Sequence, residues 1–67
     1  MFGVSPKQYL QIYRLNQVQR RLQHSRDSET TVAREAEAWG FWHMGQFSRD
    51  YRRMFGELPS QTLAQEY

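Results

Sequence analysis

The chain contains no cysteine, so neither a disulfide nor a thiolate metal site can reinforce it. It has no apolar run near the roughly 20 residues that span a bilayer, and no signal-peptide pattern opens it. Strand-like alternation of apolar and polar residues is missing throughout. Only two prolines and four glycines punctuate 67 residues, so each marks a boundary worth reading. These absences leave a small soluble, cytoplasmic unit, one domain or a piece of one. A chain this short buries only about 60% of the surface its unfolded form exposes, so its stability is marginal. With 39% hydrophobic and 24% charged residues, the composition is that of a globular chain rather than a disordered one.

Charge is unevenly spread behind a net +2. Residues 1–26 hold Lys7, Arg14, Arg20, Arg21 and Arg26 with no carboxylate. Residues 27–38 set Arg34 against Asp27, Glu29, Glu35 and Glu37, and residues 39–53 set Arg49, Arg52 and Arg53 against Asp50. Two basic stretches around an acidic one suit nucleic-acid contact, and they equally suit solvated helix faces.

The punctuation predicts four helices. Ser5-Pro6 supplies a cap and a first-turn proline for a long helix to about Arg26. Leu15, Val18 and Leu22 form its apolar stripe, while Tyr9, Leu10, Ile12 and Tyr13 point mostly elsewhere. Thr30 or Thr31 caps a short second helix ending near Ala38, with Val32, Ala36 and Trp39 inward and Gly40 as its stop. A third helix is expected over His43–Met54, with Phe47, Tyr51 and Phe55 inward and Gly45 inside it at a cost of about 1 kcal/mol. Gly56 closes it, and Pro59 opens a short last helix containing Leu63. The fold class is all-α: a long helix, a helix-turn-helix and a short C-terminal helix, in a homeodomain-like three-helix arrangement. The expected core is Leu15, Val18, Leu22, Val32, Ala36, Trp39, Phe41, Phe47, Tyr51 and Phe55. Phe2-Gly3-Val4-Ser5-Pro6 also echoes Phe55-Gly56-Glu57-Leu58-Pro59, as if an earlier helix-turn-helix ended at the start of the chain.

No nucleophile–base set, Gly-rich phosphate loop or zinc-binding His-Glu-x-x-His is present. His24 and His43 are too far apart in sequence to pair on a metal. The chain therefore reads as no enzyme, with no metal and no cofactor. Two short helices around a tight Gly turn, the second bearing basic and polar groups, describe a DNA-binding helix-turn-helix.

Thr31-Val32, Ala36, Gly40-Phe41, Phe47-Ser48-Arg49, Tyr51-Arg52-Arg53, Phe55-Gly56 and Pro59 resemble the second helix-turn-helix of the AraC/XylS family of bacterial transcription regulators. Phe2-Gly3, Ser5-Pro6, Tyr9, Arg14-Leu15 and Leu22 resemble the linker helix that joins the family's two units. Trp39-Gly40-Phe41-Trp42-His43 with Gln46-Phe47 is similar to the ethanolamine-operon regulators within it. The resemblance implies a linker helix over residues 1–26, carrying the remnant of a first unit, and the second unit over residues 27–67. It implies promoter or operator duplex DNA as partner and contact with RNA polymerase. It places His43, Met44, Gly45, Gln46 and Arg49 on the exposed recognition surface, with Arg49 the best match for a guanine edge. Ser48, Gln46 and Arg52 or Arg53 suit phosphates, and Gly45 permits close approach.

The chain departs from the family at Glu35, where an apolar residue is usual, so that carboxylate must be partly exposed, paired or protonated. Trp42 replaces a small polar cap and Leu58 a serine. Trp42 either packs under the first helix or lies exposed near DNA. Arg14, Arg20 and Arg21 read as a solvated face, with phosphate contact as the alternative. The competing reading is a helical interaction module, self-associating as a dimer or contacting RNA polymerase through Tyr9, Leu10, Ile12 and Tyr13. A membrane surface is a poor match for so many glutamines.

Overall fold

The computed structural model describes residues 5–26 and 28–65, so the Phe2-Gly3 half of the internal echo lies outside them. Four helices and no strand occur among the described residues: α1 (Pro6–Gln23), α2 (Val32–Ala38), α3 (Met44–Phe55) and α4 (Pro59–Ala64). No helix among them is long and apolar enough to cross a membrane.

Three of the four helices, α1, α2 and α4, begin where a side chain completes a cap. Ser5 Oγ accepts from the Gln8 N–H at 3.1 Å while Gln8 Oε1 accepts from the Ser5 N–H at 3.0 Å, a reciprocal cap with Pro6 in the first turn. Thr31, not Thr30, caps α2, its Oγ1 accepting from the Arg34 N–H at 3.1 Å. Leu58 has no side-chain acceptor, but Gln61 Oε1 reaches back to its N–H at 2.7 Å, so α4 keeps half of a capping pair.

The first helix ends at Gln23, short of the expected Arg26. Arg26 instead closes a turn of its own: its carbonyl accepts from Glu29 and Thr30, and its N–H donates to Glu29 Oε1. A side chain that offers the backbone a local partner competes with helix continuation.

Gly40 sits at φ +87°. The Phe41 N–H bonds the Ala36 carbonyl and the Gly40 N–H the Glu37 carbonyl, both at 3.0 Å. This 6→1, 5→2 pair is how a left-handed residue ends a helix and reverses the chain. Arg14 of α1 lies over that turn. Gly56, at φ +78°, ends α3 in the same region of backbone space.

Leu15, Val18, Leu22, Ala36, Phe47, Tyr51 and Leu63 are buried, and Val32, Trp39, Phe41, Met44 and Phe55 pack around them half-covered. All ten expected core positions therefore face inward, four of them at the rim. Leu63 and Met44 are additions. The rings of Phe41, Phe47, Tyr51 and Phe55 run in contact along α3, with successive centroids 4.9, 5.8 and 4.6 Å apart. Tyr51 Oη donates to Thr62 Oγ1 at 2.7 Å, and Thr62 in turn donates to Glu57, which joins α3 to α4 through a satisfied buried polar group.

Candidate nucleic-acid interface

The third helix has one face committed to the core, through Met44, Phe47, Tyr51 and Phe55. That commitment decides what remains outside. His43, Gly45, Gln46, Arg49, Arg52 and Arg53 are exposed, and Ser48 is half-buried. Met44, expected on the recognition surface, is half-buried and packs against the core, because the inward stripe runs one turn further toward the start of α3 than its aromatic residues show. The helix itself begins at Met44, with His43 at the capping position but making no side-chain cap bond.

Gly45, Arg49 and Arg52 follow one another at i, i+4 and i+7, a single strip along the helix. Ser48, Arg49, Arg52 and Arg53 line a shallow depression with Leu58. Arg53 also borders the cleft between α1 and α3, beside Lys7 and Gln11, so of the adjacent pair it is Arg53 that leans toward α1. A Cβ at Gly45 would have nothing within 4 Å, so no packing within the chain requires a glycine there.

Asp50, read in the sequence only as a charge, organises this face. Its Oδ1 accepts from Gln46 Nε2 at 3.0 Å and its Oδ2 from Gln11 Nε2 at 3.1 Å. The Gln46 amide is thereby oriented from within α3, and α3 is tied to α1. The i, i+4 spacing of Gln46 and Asp50 was readable, whereas the partner 39 residues away was not.

Glu35 is paired: only 8% exposed, it accepts from Arg21 Nε at 3.2 Å and from Thr30 Oγ1 at 2.8 Å. Arg21 is thus an ion-pair partner rather than one more solvated charge. Trp42 stands in water at 69% exposure, and it is Trp39 that meets α1, edge-on to Tyr13 at 6.2 Å. Among the described residues no three His, Asp or Glu side chains gather where a metal ion could sit.

A tight glycine turn between two short helices, the second presenting cationic and polar groups over an apolar base, is the geometry of a helix-turn-helix. A family model described as a helix-turn-helix domain matches residues 1–65. The chain belongs to that helix-turn-helix family, of the AraC type. Its relatives include the XylDLEGF operon transcriptional activator 1 of Pseudomonas putida, 39% identical over 61 residues, which are 91% of this chain and 18% of the relative. The HTH-type transcriptional activator RhaS of Pectobacterium atrosepticum is 38% identical over 65 residues, 97% of this chain and 22% of the relative. The probable thc operon regulatory protein of Rhodococcus erythropolis is 33% identical over 61 residues, 91% and 18% respectively. This AraC-type domain thus spans about a fifth of the length of these relatives. No solved structure matches it significantly. The family is one of DNA-binding regulators, not of enzymes.

Proposed function

We propose that this domain binds duplex DNA by laying α3 in the major groove, as part of a bacterial transcription regulator acting in the cytoplasm. The observation that carries the reading is the outer strip of α3. Gly45, Arg49 and Arg52 are exposed there, opposite a face fully occupied by packing. Arg49 has no ion-pair or hydrogen-bond partner among the described residues, so its fork is free for a guanine O6/N7 edge. Arg52, Arg53 and Ser48 supply phosphate contacts, and Gln46, oriented by Asp50, keeps a carbonyl and one N–H for a second polar contact. The free amides at the start of α3 add to the phosphate surface.

Division of the chain into a linker helix and the second helix-turn-helix of a regulator fits the two sides of α1. Leu15, Val18 and Leu22 serve the helix-turn-helix, and Tyr9, Leu10, Ile12 and Tyr13 lie exposed. Those four exposed side chains favour a second reading, apolar association with another copy or with RNA polymerase. The Trp39–His43 string supports a place near the ethanolamine-operon regulators, although the relatives above are named for other operons.

A ¹H–¹⁵N NMR titration with a generic duplex tests the first reading. Fast-exchange shifts at residues 43–53, with a Kd of about 10⁻⁴–10⁻⁶ M, are expected, and salt should reverse them. Shifts confined to residues 9–13 that follow protein concentration and ignore DNA would replace it with the second.

A further inference from the structure

Trp42 is the most exposed large apolar side chain among the described residues. Its neighbours are spent on the fold: Phe41 packs at a tilt against Phe47, and Trp39 meets Tyr13. Trp42 lies exposed beside the capping position His43, two residues before α3 begins and three before Gly45 in the chain. An indole left in water adds almost nothing to this fold, yet it offers the side chain most enriched among residues that dominate binding energy.

The surroundings select its occupant. From Ala38 to Arg49 the chain holds no carboxylate. The Asp50 carboxylate just beyond has both oxygens taken by glutamine amides. Space beside Gly45 is open. A surface with an apolar plate, room for close approach and no free negative charge complements a deoxyribose–phosphate strand. A strongly cationic protein partner would find no matching charge there, because the exposed charges of this face are the Arg49 and Arg52 guanidinium groups.

We propose that Trp42 is part of the DNA interface, its indole lying against a deoxyribose at the rim of the groove that α3 enters and its Nε1–H directed to a phosphate. This rests on the proposed function and deepens it. The contact is made to the backbone, so it supplies affinity without sequence preference.

The 67-residue chain allows a direct test, since Trp39 and Trp42 are its only tryptophans. In a Trp39→Phe variant, Trp42 emission is followed during titration with unlabelled duplex, and anisotropy with the same duplex end-labelled. Emission should be quenched with the midpoint of the anisotropy curve, and salt should restore it. In the otherwise native chain, Trp42→Ala should weaken binding about tenfold on every duplex alike. Its melting temperature and salt slope should stay unchanged, and Trp42→Phe should fall between. Anisotropy that rises while Trp42 emission stays constant overturns the assignment and leaves the function standing. So does Trp42→Ala binding like the native chain, or emission that tracks protein concentration without DNA. A flat anisotropy trace for the native chain at low salt overturns both.

Discussion

A carboxylate at position 35 survives inside this small domain because both of its oxygens are engaged, by Arg21 and by Thr30. The arrangement is satisfied without being strongly stabilising. The Arg21 side chain is 65% exposed, so water screens the pair and its net worth is about 0–1 kcal/mol. Desolvating Glu35 opposes even that, and an apolar residue of similar size often replaces a buried ion pair at no cost or with a gain. Glu35→Ile is therefore expected to raise the melting temperature by roughly 4–8 °C, the equivalent of about 1 kcal/mol in a domain of this size. Circular dichroism melts of the two chains at neutral pH decide it. A fall of several degrees would mean that the Arg21–Glu35–Thr30 set contributes more than the apolar contact replacing it. On α3 the same reasoning gives Asp50→Ala a different signature. The fold should change little, since Asp50 is only half-buried, but Gln46 loses its orienting partner and α3 its tie to Gln11. Selection from randomised duplexes should then show a preference broadened at the position that Gln46→Ala also loses.

At the scale of elements, two glycines a few residues apart should respond oppositely. Gly40 holds φ +87° in the turn that joins α2 to α3, with space beside it, since a Cβ would lie 3.7 Å from the Arg14 guanidinium. Its requirement is conformational, and Gly40→Val should cost at least about 1–3 kcal/mol through backbone strain. Gly45 lies in the first turn of α3 with nothing around it, so Gly45→Ala should stabilise by about 0.4–1 kcal/mol. If its openness serves close approach to DNA, the same variant loses duplex affinity as it gains stability; urea unfolding and anisotropy on one preparation compare the two. These elements were legible because their signals are local. Ser5-Pro6, Thr31, Gly40, Gly56 and Pro59 each act through a bond or dihedral within a few residues, and the inward stripe of Phe47, Tyr51 and Phe55 needs only helical spacing. What escaped was set by local competition, brevity or the reach of the inward stripe. The end of α1 is marked by the Glu29 side chain reaching the Arg26 N–H, which no helical period displays, α4 is too short for a period to place Leu63 in the core, and Met44 extends the inward stripe one turn ahead of Phe47. The candidate site was legible as a face, through Arg49, Arg52 and their spacing, but not in its wiring, because Gln11–Asp50 and Tyr51–Thr62–Glu57 join separate helices.

At the scale of the whole molecule, two surfaces compete to define behaviour. One is the polar outer strip of α3, and the other is the exposed side of α1, with Tyr9 at 67% and Tyr13 at 48% exposure. They respond to salt in opposite ways. Each phosphate neutralised by Arg or Lys steepens the fall of log K with log salt by about 0.9, whereas apolar association is indifferent to salt or strengthened by it. Arg49→Ala should relax base preference, and Arg52→Ala should weaken all duplexes uniformly and flatten the salt slope by about 1. A Tyr9→Ser, Leu10→Ser double variant should do neither. Both of its positions are exposed and neither belongs to the buried core, so the fold tolerates them, and any concentration-dependent sedimentation of the native chain should disappear. Sedimentation velocity and duplex anisotropy, each at two salt concentrations, separate the surfaces on one set of proteins. If the α1 variant lost DNA affinity in parallel with self-association, the two surfaces would be coupled, and duplex binding would belong to a pair of domains rather than to the single α3 of each.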